Sequence, residues 1–156
     1  MTSPSIIIHA DGACRGNPGL GGWGFTLSLI LADGTEASKE GYGFGGKEVT
    51  NNQMELTAAI QALIAVKKSY TIDLYTDSKY VVDGINKWLA GWKANNWRTA
   101  KKQPVKNKEL WEQLDSLLAY HNVTAHHVSG HSGHEGNDKV DALANKGIDE
   151  FLSGRL

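Results

Sequence analysis

Several things are scarce in this 156-residue chain, and each scarcity closes off a class of protein. A single cysteine, Cys14, rules out an internal disulfide and leaves a thiolate zinc site without ligands, which suits a reducing compartment. No apolar run approaches membrane-spanning length, and the opening Met1-Thr2-Ser3-Pro4 lacks the charged and apolar regions of a signal peptide. The expectation is a cytoplasmic protein with no membrane partner. No repeat, linker or low-complexity stretch divides the chain, so one domain spanning 1–156 is expected. The glycines form no G-x-x-x-x-G-K-[ST] motif, so they are not a phosphate-cradling P-loop. Net charge is also nearly absent, at -1.

That small sum conceals a polarised molecule. Between Lys87 and Lys108 lie seven Lys/Arg and no Asp or Glu, so the remainder carries -8. With 40% hydrophobic and 21% charged residues, the chain is otherwise an ordinary globular one.

The first strand is predicted at the β-branched run Ile6-Ile7-Ile8, buried on both faces, and it ends at Asp11 in a glycine-rich loop. Asp-Gly is also a common turn dipeptide. Gly22 to Leu31 and Glu36 to Phe44 read as an antiparallel hairpin joined at Asp33-Gly34, with the first strand innermost. Gly43, Gly45 and Gly46 loosen its end.

Thr50-Asn51-Asn52-Gln53 is a capping-box arrangement opening a helix to Lys68, with Glu55 in its first turn. An acid there could simply favour the helix dipole. Ile72 to Thr76 is a fourth strand, and the intervening helix makes it parallel to the first and adjacent to it. Asp11 and Asp77 then end neighbouring strands at one sheet edge, unless Asp77 merely caps the next helix. That helix runs from Ser78 to about Asn95; another follows, capped by Asn107, with Trp111 in the core. A fifth strand spans Thr124 to Val128, and a last helix spans about Asn137 to Leu152, with Asp141 near its start. The fold class is α/β: a mixed five-stranded sheet, three strands antiparallel and two parallel, flanked by helices.

Asp11, Glu55, Asp77 and Asp141 thus converge from four elements. Like charges within ~4 Å repel by a few kcal/mol at an effective dielectric near 20, and hard divalent cations relieve that repulsion. Two ions roughly 3.5 to 4 Å apart can activate a water and stabilise a leaving oxygen in phosphoryl chemistry. A carboxylate cluster without a P-loop suits a phosphodiester nuclease better than a kinase. A zinc cluster of His126, His127, His131 and His134 is the rival reading, but adjacent histidines on a strand face opposite ways.

The blocks DGACRGNPG, TNNQMEL, YTDSKYV and VSGHSGHEGNDKVDALA resemble, in order, the four signature blocks of bacterial type 1 ribonuclease H. The resemblance spans nearly the whole chain. It implies a ribonuclease H-like fold and cleavage of the RNA strand of RNA/DNA hybrids with two Mg²⁺ ions, Mn²⁺ able to substitute, leaving 3′-hydroxyl and 5′-phosphate ends. The family's metal-binding carboxylates correspond to Asp11, Glu55, Asp77 and Asp141. Its catalytic histidine corresponds to His131, whose imidazole can exchange protons near neutral pH.

Cys14, Asn17, Thr50, Asn51, Asn52 and Asn107 match family positions that touch the hybrid backbone. The basic segment, about 87–108, resembles the family's basic protrusion, with Trp88, Lys93, Trp97, Arg98, Lys101 and Lys102 as its contacts. Backbone and 2′-hydroxyl contacts imply selectivity for hybrid without base readout. Lys79 stands where the family commonly has Gln and adds a charge beside the groove. Ser129 stands where Lys is common, and the hairpin from Leu31 to Val49 is longer than the bacterial pattern.

A monomer is the simplest assembly. Two other readings are a related carboxylate nuclease acting on DNA, as in resolvases and transposases, and a hybrid-binding module without catalysis. Asn17, the Asn51-Asn52 pair and the tryptophan-bearing basic segment oppose the first, and the intact carboxylates oppose the second.

Overall fold

A computed structural model describes residues 5–129 and 135–154. Five strands, β1 (Ser5–Arg15), β2 (Gly19–Ile30), β3 (Glu36–Val49), β4 (Thr71–Thr76) and β5 (Asn122–His127), form one sheet in the order β3-β2-β1-β4-β5. β1 pairs antiparallel with β2 and parallel with β4, and β5 extends the parallel side. The expected mixed sheet, with β1 central, is therefore present.

Helix α1 (Asn51–Ala65) covers one face of the sheet. Its Leu56, Ile60 and Leu63 meet Ile6, Ile8, Phe25, Leu27, Ile72 and Leu74 in the main core. The capping box forms as expected: Thr50 Oγ1 accepts from Gln53 N at 3.2 Å, and Gln53 Oε1 accepts from Thr50 N at 3.0 Å. Helix α4 (Lys108–Tyr120) lies against α1 and buries Trp111 and Leu114 completely. Helix α5 (Glu135–Leu152) takes the other face, over β2, β3 and β1. Its close approach explains the glycines of the hairpin: a side chain at Gly22 or Gly24 would run into Ala144, and one at Gly147 into the backbone of Gly43.

Several sequence expectations need correction. β1 does not end at Asp11 but continues to Arg15 alongside β2. Ile7 is only half-buried, because its face of the sheet is less covered than that of Ile6 and Ile8. The third strand does not end at Phe44, since β3 runs on through Gly45 and Gly46 to Val49. Glu55 is the fifth residue of α1, beyond the first turn, so a helix-dipole role does not explain it.

The segment after β4 is not one regular helix: α2 (Lys79–Asp83) passes through a π turn at 84–88 into α3 (Leu89–Ala94). Gly84 sits where the Trp111 ring leaves no space for a Cβ. Ser78, not Asp77, caps α2, its hydroxyl accepting from Val81 N at 3.2 Å. Asn107 occupies the N-cap position of α4 without a capping hydrogen bond; left-handed at φ 60°, it turns its amide to the Tyr80 hydroxyl at 3.1 Å.

Candidate active site

The parallel pairing of β1 and β4 stops at His9 and Tyr75, while β1 stays with β2 for six more residues and β4 ends at Thr76. A split therefore opens in the sheet. Asp11 and Asp77 each lie two residues past that last shared rung, one on either side of the split. α1 presses on β1 at Gly12, where any Cβ would collide with the backbone at Met54 and Glu55. This contact delivers the Glu55 carboxylate to the Gly12 N–H, which donates to its Oε1. As a result, one carboxylate oxygen from each of Asp11, Glu55 and Asp77 lies within 4.8 Å of the others. Asp141, half-buried on α5, lines the same cavity of about 310 Å³ without joining that tight trio.

Burial and mutual repulsion leave two of these acids, Asp11 and Glu55, reluctant to ionise. Asp11, 4% exposed, is held far above the usual carboxylate range, first by burial and then by the charges of Glu55 and Asp77. Glu55 is also raised, mainly by burial, although hydrogen bonds from Asp11 and from Gly12 N–H pull the other way. Proton and metal compete for the same oxygens. Three convergent hard-oxygen ligands beside an open cavity, with no soft donor in the trio, fit a divalent cation of the Mg²⁺ or Mn²⁺ kind.

Around the trio, the cavity wall includes Gly12, Ala13, Cys14, Asn51 and Asn145. Cys14 Sγ lies 3.0 Å from the Val49 carbonyl, and Asn17 Oδ1 accepts from Asn51 N at 3.0 Å, joining the loop after β1 to the start of α1. Asn145 was not foreseen. It stands one turn beyond Asp141, a spacing that puts both on one helix face, and its Nδ2 donates to the Asp141 carbonyl at 3.0 Å. Arg15 ties the end of β1 to α5, reaching Asp149 at 2.8 Å and Asn145 Oδ1 at 3.3 Å.

Other expected contacts spread away from the trio. Thr50 is spent on the helix cap, Asn52 is half-buried outside the cavity wall, and Lys79 is exposed at the start of α2. Asn107 belongs to a separate network in which Gln53 Nε2 donates to its Oδ1 at 3.4 Å and Trp111 Nε1 donates to Tyr80 Oη at 2.9 Å. His131 and His134 lie outside the described residues. His126 is bound to Asp73 at 2.8 Å; among the described residues, no group of histidines forms a metal site.

The basic segment makes a pocket of its own, lined by Asn95, Asn96, Trp97, Arg98, Lys102, Pro104 and Lys108. Asn96, Trp97, Lys102 and Asn107 all adopt left-handed backbone, a costly conformation for non-glycine residues that the surrounding structure must impose. The segment is less freely charged than its sequence suggests. Lys93 reaches Asp115 of α4 at 3.3 Å, and Lys87 reaches Asp83 at 3.5 Å. Arg98, Lys101 and Lys102 are exposed. Trp97 packs against the core, whereas Trp88 is 37% exposed, its ring 5.8 Å from that of Trp92.

Comparison with known proteins agrees with this geometry. The profile of the RNase H family matches residues 3–149. A ribonuclease H of Francisella tularensis subspecies novicida is 56% identical over 147 residues, 94% of this chain and 93% of that protein. Among solved structures, LC9-RNase H1 superposes with a TM-score of 0.85 at 26% identity, over 96% of this chain and 74% of that one. LC11-RNase H1, solved in complex with an RNA/DNA hybrid, gives 0.68 at 25% identity, over 94% and 99%. The extent of the profile match and of the Francisella identity, across all four elements that supply the carboxylates, settles that the chain belongs to the ribonuclease H family.

Proposed function

We propose that this protein is a metal-dependent endonuclease that hydrolyses the RNA strand of RNA/DNA hybrids, leaving 3′-hydroxyl and 5′-phosphate ends. The observation that carries the reading is the convergence of Asp11, Glu55 and Asp77 at the split between β1 and β4, in a chain of this family. Asp11, Glu55, Asp77 and Asp141 would hold Mg²⁺, with Mn²⁺ as a substitute. Two such ions supply an activated water and charge stabilisation for the departing oxygen.

The chain's own groups do the rest. The Gly12 N–H fixes Glu55, so that one carboxylate is oriented before any ion arrives. Cys14, Asn17, Thr50, Asn51 and Asn52 cluster at the first turn of α1 and at the loop facing it, where they can follow a nucleic-acid backbone past the cavity. Asn107 is assigned to the same backbone contacts and Lys79 to a charge beside the groove, while Arg98, Lys101 and Lys102, with Trp88, Lys93 and Trp97, offer a second, sequence-blind grip on phosphates. His131 is assigned the proton exchange with water or product. The single cysteine and the absence of a repeat or linker support a cytoplasmic enzyme with one catalytic domain, and a monomer is the simplest assembly.

The test is cleavage of end-labelled RNA/DNA hybrid, duplex RNA and duplex DNA, each with Mg²⁺, with Mn²⁺ and with chelator. Cutting of hybrid RNA alone, abolished by chelator, is expected. Preferential cutting of DNA would move the protein to the resolvase-like reading, and binding without cutting to the inactive one.

A further inference from the structure

Directly behind the split, three rings cross three strands in one rung. His9 of β1, Tyr75 of β4 and His126 of β5 are register partners. The His9 and Tyr75 ring centroids are 5.2 Å apart and those of Tyr75 and His126 are 4.7 Å apart, each pair inclined by 19°. Parallel strands lie about 4.8 Å apart, so planar side chains paired on one face are set at stacking distance. The far end of the rung is anchored, with His126 Nε2 2.8 Å from Asp73 Oδ1. The near end abuts α5: a Cβ at Gly136 would overlap the His9 ring.

We propose that this aromatic rung positions the metal-binding carboxylates, an inference that rests on the metal-site reading above. Asp11 follows His9 by two residues and Asp77 follows Tyr75 by two, and among the described residues the rung is the last register pair between β1 and β4. The separation of the two carboxylates is then set by the last connection beneath them. Their mutual repulsion would widen the split, and stacked rings resist that widening while filling the face that β1 and β4 share. Because His9 also touches the first turn of α5 at Gly136, the same rung references the helix carrying Asp141. Three of the four acids, on three separate elements, are thereby registered to one set of rings. His9, Tyr75 and His126 touch no reacting atom in this scheme; they are positioning residues.

The experiment compares wild type with Tyr75→Ala, Tyr75→Phe, His9→Ala and His9→Phe in three measurements: Mn²⁺ affinity by calorimetry, kcat and KM on hybrid, and Tm with chelator. Loss of a group that orients ligands typically costs about tenfold or more in metal affinity or activity. The alanine variants should therefore bind Mn²⁺ about tenfold more weakly and lose about tenfold in kcat, with KM for hybrid within about twofold. The phenylalanine variants, which keep a flat ring, should recover both.

If the alanine variants lose Tm but keep wild-type Mn²⁺ affinity and kcat, the rung is only structural and the proposal is overturned. Failure of phenylalanine to rescue would equally overturn stacking as the cause. Should an alanine variant not fold, Gly136→Ala, which crowds His9 from the α5 side, replaces it with the same expected loss. Wild-type protein that neither binds Mn²⁺ nor cuts hybrid would refute the metal-site reading itself, a result distinct from these.

Discussion

Replacing Asp11 by Asn should inactivate the enzyme and yet make the metal-free protein more stable. Asp11 is 4% exposed and shares its surroundings with Glu55 and Asp77. Its folded pKa is raised well above the ordinary value of 3.8, first by burial, then by Glu55 and by Asp77. The folded state therefore holds this proton more tightly than the unfolded chain does. The stability contribution is fully present below pH 3.8 and is lost as pH rises toward the folded value.

At pH 7 the unfolded carboxyl has been ionised over about 3.2 pH units that the folded one resists. At 1.36 kcal/mol per unit, this sets a ceiling of about 4 kcal/mol on the penalty. Asparagine keeps the shape without the titration, and part of the strain passes to Glu55, so a gain of about 1–3 kcal/mol is expected. For a chain of this size that corresponds to a rise in Tm of about 3–9 °C.

The assay is thermal unfolding with chelator at pH 4, 5.5 and 7. The advantage of Asp11→Asn should be largest at pH 7 and should nearly vanish at pH 4, where the unfolded carboxyl is itself half protonated. Added Mg²⁺ should narrow the gap by stabilising wild type alone. A Tm at pH 7 equal to or below that of wild type, or an advantage independent of pH, would refute the clustered, desolvated geometry.

Other outcomes follow from the same structure. Changing Arg98, Lys101 and Lys102 to Ala should weaken hybrid binding and lower the slope of log K against log salt by roughly 2–3, while Lys93→Ala, whose ammonium is committed to Asp115, should change the slope by less than about 1; fluorescence anisotropy over a salt series decides. Gly12→Ala should cost about 2–3 kcal/mol in chemical denaturation and abolish cleavage, because the new methyl displaces α1 and with it Glu55. Metal binding at pH 7 should release protons from the raised Asp11 and Glu55 carboxyls and tighten as pH rises, which calorimetry in buffers of different ionisation enthalpy will register. Thr50→Ala, which removes half of the capping box, should lower stability by about 1 kcal/mol with the carboxylate trio unaltered, as judged by unchanged Mn²⁺ affinity.

The sequence displays what lies along the chain and conceals what lies across it. The order of the first four strands followed from one hairpin and one parallel crossover, Ile6–Ile8 to Ile72–Thr76, and the capping box marked the start of α1 to the residue, while the place of β5 beside β4 was not read. Asp11, Glu55 and Asp77 were legible because each is an acid where an element meets the same sheet edge. The continuation of β1 past Asp11 was not legible, since Gly12-Ala13-Cys14 has no alternating pattern and is kept extended only by pairing with Gly21, Gly22 and Trp23.

Lateral partners were hidden in the same way. Lys93 appeared free because Asp115 is 22 residues away in sequence and one helix away in space. Nothing in the sequence linked His9, Tyr75 and His126, the last of which stood only in the zinc reading, until register aligned them. The π turn at 84–88 was invisible to helical periodicity, which continues through it; at its start, Gly84 packs against the ring of Trp111, a neighbour distant in sequence.

The most direct measurement is anomalous diffraction at the manganese edge from crystals soaked in Mn²⁺. The account expects a peak in the split between β1 and β4, bounded by carboxylate oxygens of Asp11, Glu55 and Asp77, and lost in Asp11→Asn. A peak elsewhere, or a well-ordered split that stays empty at saturating Mn²⁺, would contradict it.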